Sequence, residues 1–408
     1  MNRRLAGALI AMAVVQTAVY LARPVTSYRL LALGASGRTV GFVTAAFALL
    51  PLVLAIPLGR LFDRGRAGPL LTSGCVTVAA ACAMLGVAGN VAMVTVASAL
   101  LGVGHLAIAL AVQELVARES RMGRHDQGFA LMTAVVTVGQ LVGPPLGGLV
   151  LSERAGLSLA AATSVALYLA AAFAAVAAVI AAIARTHASP RVARTGAGHA
   201  PDTASVRRIA QTRGVPTAMF ASIASLATSE VFTAYLPVFG QQKGIDPAII
   251  GGLLAVRAGS SIVTRIGMTQ IVRRVGRLRV IALTATIAAV AVALIPFTTN
   301  TALLAVLCVL LGFGVGFAQP LSMAMVVELV PRPAWGSALA LRLTGNRLGQ
   351  VAMPAAAGLV AGGVGVAAVF WLLGGILVAA GSATQRFALA HPGDAVVPGD
   401  DELIAAPD

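Results

Sequence analysis

The chain has 408 residues, 58% of them hydrophobic and 11% charged, with a mean hydropathy of +0.92. Soluble domains carry about 25% charged residues, so this chain cannot cover a globule with a wetted surface, and its solvent is largely lipid. The formal net charge of +15 does not point to nucleic acid, because aromatics make up 5% and the basic residues, all Arg except Lys243, sit in short spacers between apolar runs.

A bilayer core needs about 20 apolar residues as helix. Twelve such runs follow one another at 5–24, 38–60, 69–88, 91–115, 129–151, 157–184, 215–239, 248–271, 278–297, 301–329, 337–361 and 364–387. None alternates with the period of a barrel strand, and the Ala, Gly and Leu richness favours helix. The expected fold is an all-α membrane protein with twelve transmembrane helices in two pseudo-symmetric six-helix bundles. Met1 to Arg4 ahead of apolar Leu5–Ala22 has the outline of a signal peptide, but further spans follow and no small-x-small cleavage site stands behind it. It is expected to be an uncleaved first span.

Orientation follows from arginine. With the N-terminus inside, the inner spacers hold Arg3, Arg4, Arg60, Arg64, Arg66, Arg118, Arg121, Arg124, the arginines from Arg185 to Arg213 and from Arg273 to Arg279, Arg332 and Arg386. The outer spacers hold Arg23, Arg29, Arg38, Arg154 and Lys243. Both termini are therefore expected in the cytoplasm, with the chain in the inner (plasma) membrane. Residues 185–214 are polar, with Pro190, Gly196, Gly198, Pro201 and six arginines, and read as a cytoplasmic linker. The expected organisation is a six-helix bundle over 1–184, that linker, a second bundle over 215–387 and an acidic tail over 388–408. Cys75, Cys82 and Cys308 have no spacing suited to zinc or disulfides, so neither metal nor cofactor is expected.

The halves echo each other. Gly139-Gln140-Leu141-Val142-Gly143-Pro144 lies 210 residues before Gly349-Gln350-Val351-Ala352-Met353-Pro354. The same offset pairs Gly148 with Gly358, Gly34 with Gly244 and Gly41 with Gly251. Glu114-Leu115-Val116-Ala117-Arg118 matches Glu328-Leu329-Val330-Pro331-Arg332, four residues out of that register. Parallel six-helix repeats place a ligand site between the halves near the midplane.

The spacer between spans two and three, Gly59-Arg60-Leu61-Phe62-Asp63-Arg64-Gly65-Arg66, resembles the Gly-x-Leu-x-Asp-Arg-x-Gly-Arg pattern of the major facilitator superfamily, one residue shorter between Arg64 and Gly65. Its second-half counterpart is Arg273-Arg274-Val275-Gly276-Arg277, with Arg273 in place of the acid. The resemblance implies a cytoplasmic gate of Gly59, Asp63, Arg64, Arg66, Glu114, Arg118, Arg273, Arg277, Glu328 and Arg332. Plain Glu–Arg helix support at i, i+4 is the alternative for the two acidic pairs.

Within span five, Gly139, Gly143, Gly147 and Gly148 with Pro144 and Pro145 make a small-residue face with a bend. This face serves close packing, and it also resembles the antiporter motif of drug–proton exporters in the same superfamily, which implies export. Those exporters carry an Arg in span four, four residues before a Gly-x-Gly. Here Ser98 stands at that place before Gly102-Val103-Gly104, and His105 follows.

Ionisable groups inside a membrane are costly and usually functional. Glu230, well inside span seven, is the candidate proton carrier, or else a structural carboxylate paired with Arg. His105 is a packed residue or a proton relay. Arg257, Arg347, Asn346, Gln140, Gln319 and Gln16 are candidates for the substrate cavity, while Arg265 and Arg342 are expected to snorkel to the cytoplasmic side. The expected function is secondary active export of a small organic compound by alternating access, coupled to protons, by a monomer in the bilayer. The alternative is a symporter or facilitator for an organic anion. A membrane enzyme would need clustered acids or a His–Asp pair, and no such cluster stands near an interface.

Overall fold

The computed structural model describes residues 3–62, 67–119, 125–152, 156–186, 203–331 and 334–390, and these are helical throughout apart from the turns. In chain order the helices are α1 (Arg3–Ala32), α2 (Gly37–Phe62), α3 (Ala67–Val87), α4 (Val91–Glu119), α5 (His125–Leu151), α6 (Leu159–Thr186), α7 (Thr203–Gln211), α8 (Val215–Gln242), α9 (Pro247–Val275), α10 (Arg277–Leu294), α11 (Thr301–Glu328), α12 (Trp335–Gly363) and α13 (Val366–Ala390). Each of the twelve apolar runs corresponds to one long helix, and α7 is a nine-residue helix inside the segment read as linker. By length and composition eleven of the described helices can cross a membrane, and α12 is the long helix left out. Arg342, Asn346, Arg347 and Gln350 interrupt its apolar sequence.

Helix α1 differs most from expectation, running through Pro24 to Ala32. Proline removes one backbone donor but its fixed φ is compatible with helix. The turns beyond it are held from the side by Arg29. This arginine was expected in an outer spacer and is instead buried. It donates to Ala88 O at 2.7 Å, Gly86 O at 3.3 Å and Ala160 O at 2.9 Å, and to the hydroxyls of Thr163 and Ser164. The carbonyls left over at the end of α3 and a carbonyl at the start of α6 thus share one guanidinium.

The predicted repeat is visible in how α1 and α8 end. Gly34 (φ 73°) and Gly244 (φ 67°) both turn left-handed. Ala35 N bonds Leu30 O at 2.9 Å, and Ile245 N bonds Gly240 O at 2.8 Å. These pairs stand at the same offset as the glycines, so one helix-stop device is used twice.

The described chain forms two compact units. The first contains α1 to α6 with residues 230–258 and 350–369. In it α1 packs on α5 and α6, α3 on α4 and α6, and α2 on α4. Close approach depends on glycine: a Cβ on Gly143 would meet Leu21 N at 2.7 Å, and one on Gly139 would meet Gln16 Cβ at 2.7 Å. Gly41 lies against Pro354 O and the Gly358 backbone, and Gly251 lies against Pro144 O.

The second unit contains α7 with residues 203–229, 259–349 and 370–390. There α10 packs on α11. Ile209 of α7 enters an apolar cluster with Val215, Leu278, Met325, Val326 and Val330. Phe313 and Phe317 meet edge to face, with centroids 5.3 Å apart. Serine hydroxyls stitch helices to α11 carbonyls: Ser225 to Val315 O at 3.0 Å, Ser260 to Val309 O at 2.7 Å and Ser261 to Gly312 O at 2.8 Å.

Candidate functional site

In the first unit a polar cluster forms around α1, and its centre is an ion pair between Arg23 and Glu230, 207 residues apart in the chain. Arg23 was expected at the outer end of span one. Because α1 continues past Pro24, it lies within the helix instead, its side chain 10% exposed. Its guanidinium also stacks on the Phe47 ring, 4.7 Å from the centroid. Phe47 in turn lies 5.9 Å from the His105 ring. Tyr20, one turn before Arg23, accepts from Gln140 Nε2 at 2.8 Å and lies within electrostatic reach of Glu230, Arg23 and Arg257. Arg257 is buried with its guanidinium 5.9 Å from the Phe232 centroid. Gln16 is buried against α5, and its Oε1 has no hydrogen-bond partner.

Beside the pair lies a small, partly open cavity within the same unit. Arg23, Thr26, Ser27, Thr44, Ser98, Phe47 and Thr233 line it, with Leu30, Val43, Leu101 and Ala234 between them. Ser98 Oγ is buried without a hydrogen-bond partner. The arginine absent from position 98 is thus matched by one that α1 sends into the same cavity. Sequence reasoning missed Phe47, Ser98 and Thr233 as wall residues, and Tyr20 as the hydrogen-bond partner of Gln140. Hydroxyls at helical spacing, such as Thr26 and Ser27 after Arg23, were the available signal.

The second unit holds another polar cluster. Ser222 Oγ donates to Asn346 Oδ1 at 2.9 Å, and Gln319 Nε2 donates to Ser222 O at 2.7 Å. Arg342 donates through Nη2 to Gln319 O at 2.9 Å, to Gln319 Oε1 at 2.7 Å and to Ser322 Oγ at 3.3 Å. It does not snorkel: the residue is 6% exposed and turned into the protein. The cause is an inward-facing set of acceptors on α11 that no hydropathy count reveals. The cavity candidates Gln319 and Asn346 therefore meet through Ser222, and Arg347 is half-buried one residue beyond Asn346.

Of the gate candidates, Arg277 at the start of α10 and Glu328 at the end of α11 form an ion pair. Arg273 is exposed near the end of α9, and Glu114 is half-buried in α4. Gly59 and Arg118 lie in the last turns of α2 and α4, while Asp63, Arg64, Arg66 and Arg332 lie outside the described residues. The span-five motif is continuous α5 helix. Gly139, Gly143 and Gly147 face α1, and Gly148 faces Pro247 O and Ala248. Among the described residues no His, Cys, Asp and Glu group could hold a metal ion.

Comparison with known proteins agrees with this architecture. The structure resembles the crystal structure of the nucleoside transporter NupG, with a TM-score of 0.76 at 15% identity, over 95% of this chain and 99% of that one. A point mutant of NupG gives a TM-score of 0.76 at 16% identity, over 95% of this chain and all of that one. Among curated proteins no sequence match is found. The sequence pattern of the Major Facilitator Superfamily matches residues 8–323 and again 218–405. With this match over most of its length and an all-helical fold shared with a transporter, the chain belongs to the Major Facilitator Superfamily and is a multi-pass membrane transporter rather than an enzyme.

Proposed function

We propose that the chain exports a small organic compound across the inner membrane by alternating access, with protons driving the cycle. The observation that carries this reading is the Arg23–Glu230 ion pair at the wall of a cavity lined by apolar and hydroxyl side chains. The pair joins α1, from the first half of the sequence, to α8, from the second. With both termini cytoplasmic, it stands somewhat outside the membrane midplane.

A cargo that binds Arg23 competes with Glu230 and loosens the tie between the two helices. Once the site opens outward, a proton neutralises Glu230. As the site returns inward, the proton leaves and the pair reforms. Arg23 keeps a partner throughout, since Phe47 accepts its charge over the ring face. Export is read from the resemblance of the α5 glycine face to the antiporter motif of drug–proton exporters; that face packs on α1 and on the start of α9.

The test is proton flux in proteoliposomes that contain the full chain or Glu230→Gln, challenged with lipophilic cations and organic anions. A nucleoside belongs in the panel, because NupG is a nucleoside transporter and the cavity offers hydroxyls. Counterflow of protons against one compound, lost in Glu230→Gln, is the expected result. Transport unchanged in the variant would leave Glu230 as structure, and protons moving with the cargo would favour a symporter.

A further inference from the structure

We propose that Arg342 and Asn346 form an oxyanion-binding site in the second unit that takes the carboxylate or phosphate of the cargo, which refines the transporter reading above and rests on it. Three observations converge. First, no carboxylate pairs with the charge among the described residues. Arg342 is 6% exposed, and among the described residues its contacts are all neutral. The described ion pairs engage Glu230 with Arg23 and Glu328 with Arg277. A buried guanidinium is costly in a membrane unless an anion or a full set of acceptors satisfies it, as acceptors on three nitrogens satisfy Arg29.

Second, the guanidinium is half used. Its three bonds leave through Nη2, and Nε is buried without a partner. Each open N–H of the guanidinium can donate to an oxygen of a carboxylate or phosphate.

Third, the cluster has spent its acceptors and kept its donors. Gln319 O and Oε1 accept from Arg342, Ser222 O accepts from Gln319, and Asn346 Oδ1 accepts from Ser222. What remains is Nε and Nη1 of Arg342 and the NH2 group of Asn346, one turn further along the same helix. Asn346 is itself 6% exposed. These leftover donors and one positive charge on one face of α12 complement an oxyanion, whereas a cation or an apolar group would leave them unsatisfied.

A lipid headgroup phosphate offers the same chemistry as an anionic solute, so the experiment separates them. The thermal midpoint of the purified full chain is measured in anion-free detergent against benzoate, citrate and inorganic phosphate, then against phosphatidylglycerol. The expected result is a concentration-dependent rise with at least one soluble anion, with apparent affinity at least tenfold weaker in Arg342→Gln and clearly weakened in Arg342→Lys, which keeps the charge but not the fork. Asn346→Asp supplies an internal carboxylate beside Arg342. It is expected to raise the starting midpoint and abolish the response, and it carries the test should Arg342→Gln not fold. No rise with any soluble anion, an equal rise in Arg342→Gln and Asn346→Asp, or a rise confined to phosphatidylglycerol would each overturn the assignment to cargo. Anion binding without proton-linked flux would count against the export reading and leave this site standing.

Discussion

Gly251 of α9 lies against the carbonyl oxygen of Pro144 in α5, with no room for a side chain between them. Subtracting 210 from Gly251 gives Gly41, and adding it to Pro144 gives Pro354; Gly41 of α2 lies against the carbonyl oxygen of Pro354 in α12. The sequence repeat is therefore a physical one. Each half supplies the glycine for one crossing and the proline carbonyl for the other, and both crossings lie in the same compact unit.

Adding one methyl group at either glycine is expected to force two backbones apart. Gly41→Ala and Gly251→Ala should each cost about 1–3 kcal/mol as overpacking, seen as a drop of a few degrees in thermal midpoint. Gly252→Ala is the control, since a Cβ there meets nothing within 4 Å. Equal midpoints for all three variants would contradict the tight crossings.

The Arg23–Glu230 pair is expected to be non-additive. Arg23→Gln or Glu230→Gln alone strands a charge among half-buried and buried groups, at a cost of about 3 kcal/mol. The double Gln variant should be more stable than either single one, as a thermal double-mutant cycle would show. Simple addition of the two losses would mean that the charges do not depend on each other.

Arg29 bonds the carbonyls of Gly86, Ala88 and Ala160. Arg29→Met keeps an apolar stem and leaves those acceptors bare, each at about 1–3 kcal/mol. The expected outcome is a midpoint lowered by several degrees, with an unchanged KM in the protein that remains folded. A raised KM at normal stability would place Arg29 in transport instead.

Glu328 is 60% exposed, so its pair with Arg277 contributes less than about 1 kcal/mol to stability. Glu328→Gln should leave the thermal midpoint within a degree or two. A gate would show in turnover, expected to fall about threefold or more in a liposome flux assay. Normal turnover would reduce the pair to local helix-end support.

The parts of this structure that were readable in advance are those written in local chemistry. Apolar runs gave the helices because lipid requires every backbone group to be satisfied within its own segment. Gly34 and Gly244 were paired by offset and share a left-handed helix stop, since few other residues tolerate that φ. The buried charges were read less well. Arg29 and Arg342 were assigned to a spacer and to a snorkelling position from their place in the chain. Their true surroundings are acceptors on other helices: Ala160 lies 131 residues from Arg29, and Gln319 faces Arg342 from α11. Glu230 was singled out as the acid to watch, but Arg23 was not named as its partner, because the first span was expected over 5–24 and the helix continues for two more turns.

Arg29 also bears on how the chain is assembled. If spans enter the membrane in order of synthesis, α1 arrives carrying a cation whose acceptors do not yet exist. Those on α3 follow about 57 residues later, and those on α6 only after 131. Until then the arginine must reach toward water from the end of its helix, because lipid penalises it by a few kcal/mol. The far end of α1 is thus held shallow until the sixth span is delivered, when one side chain seats three helices together.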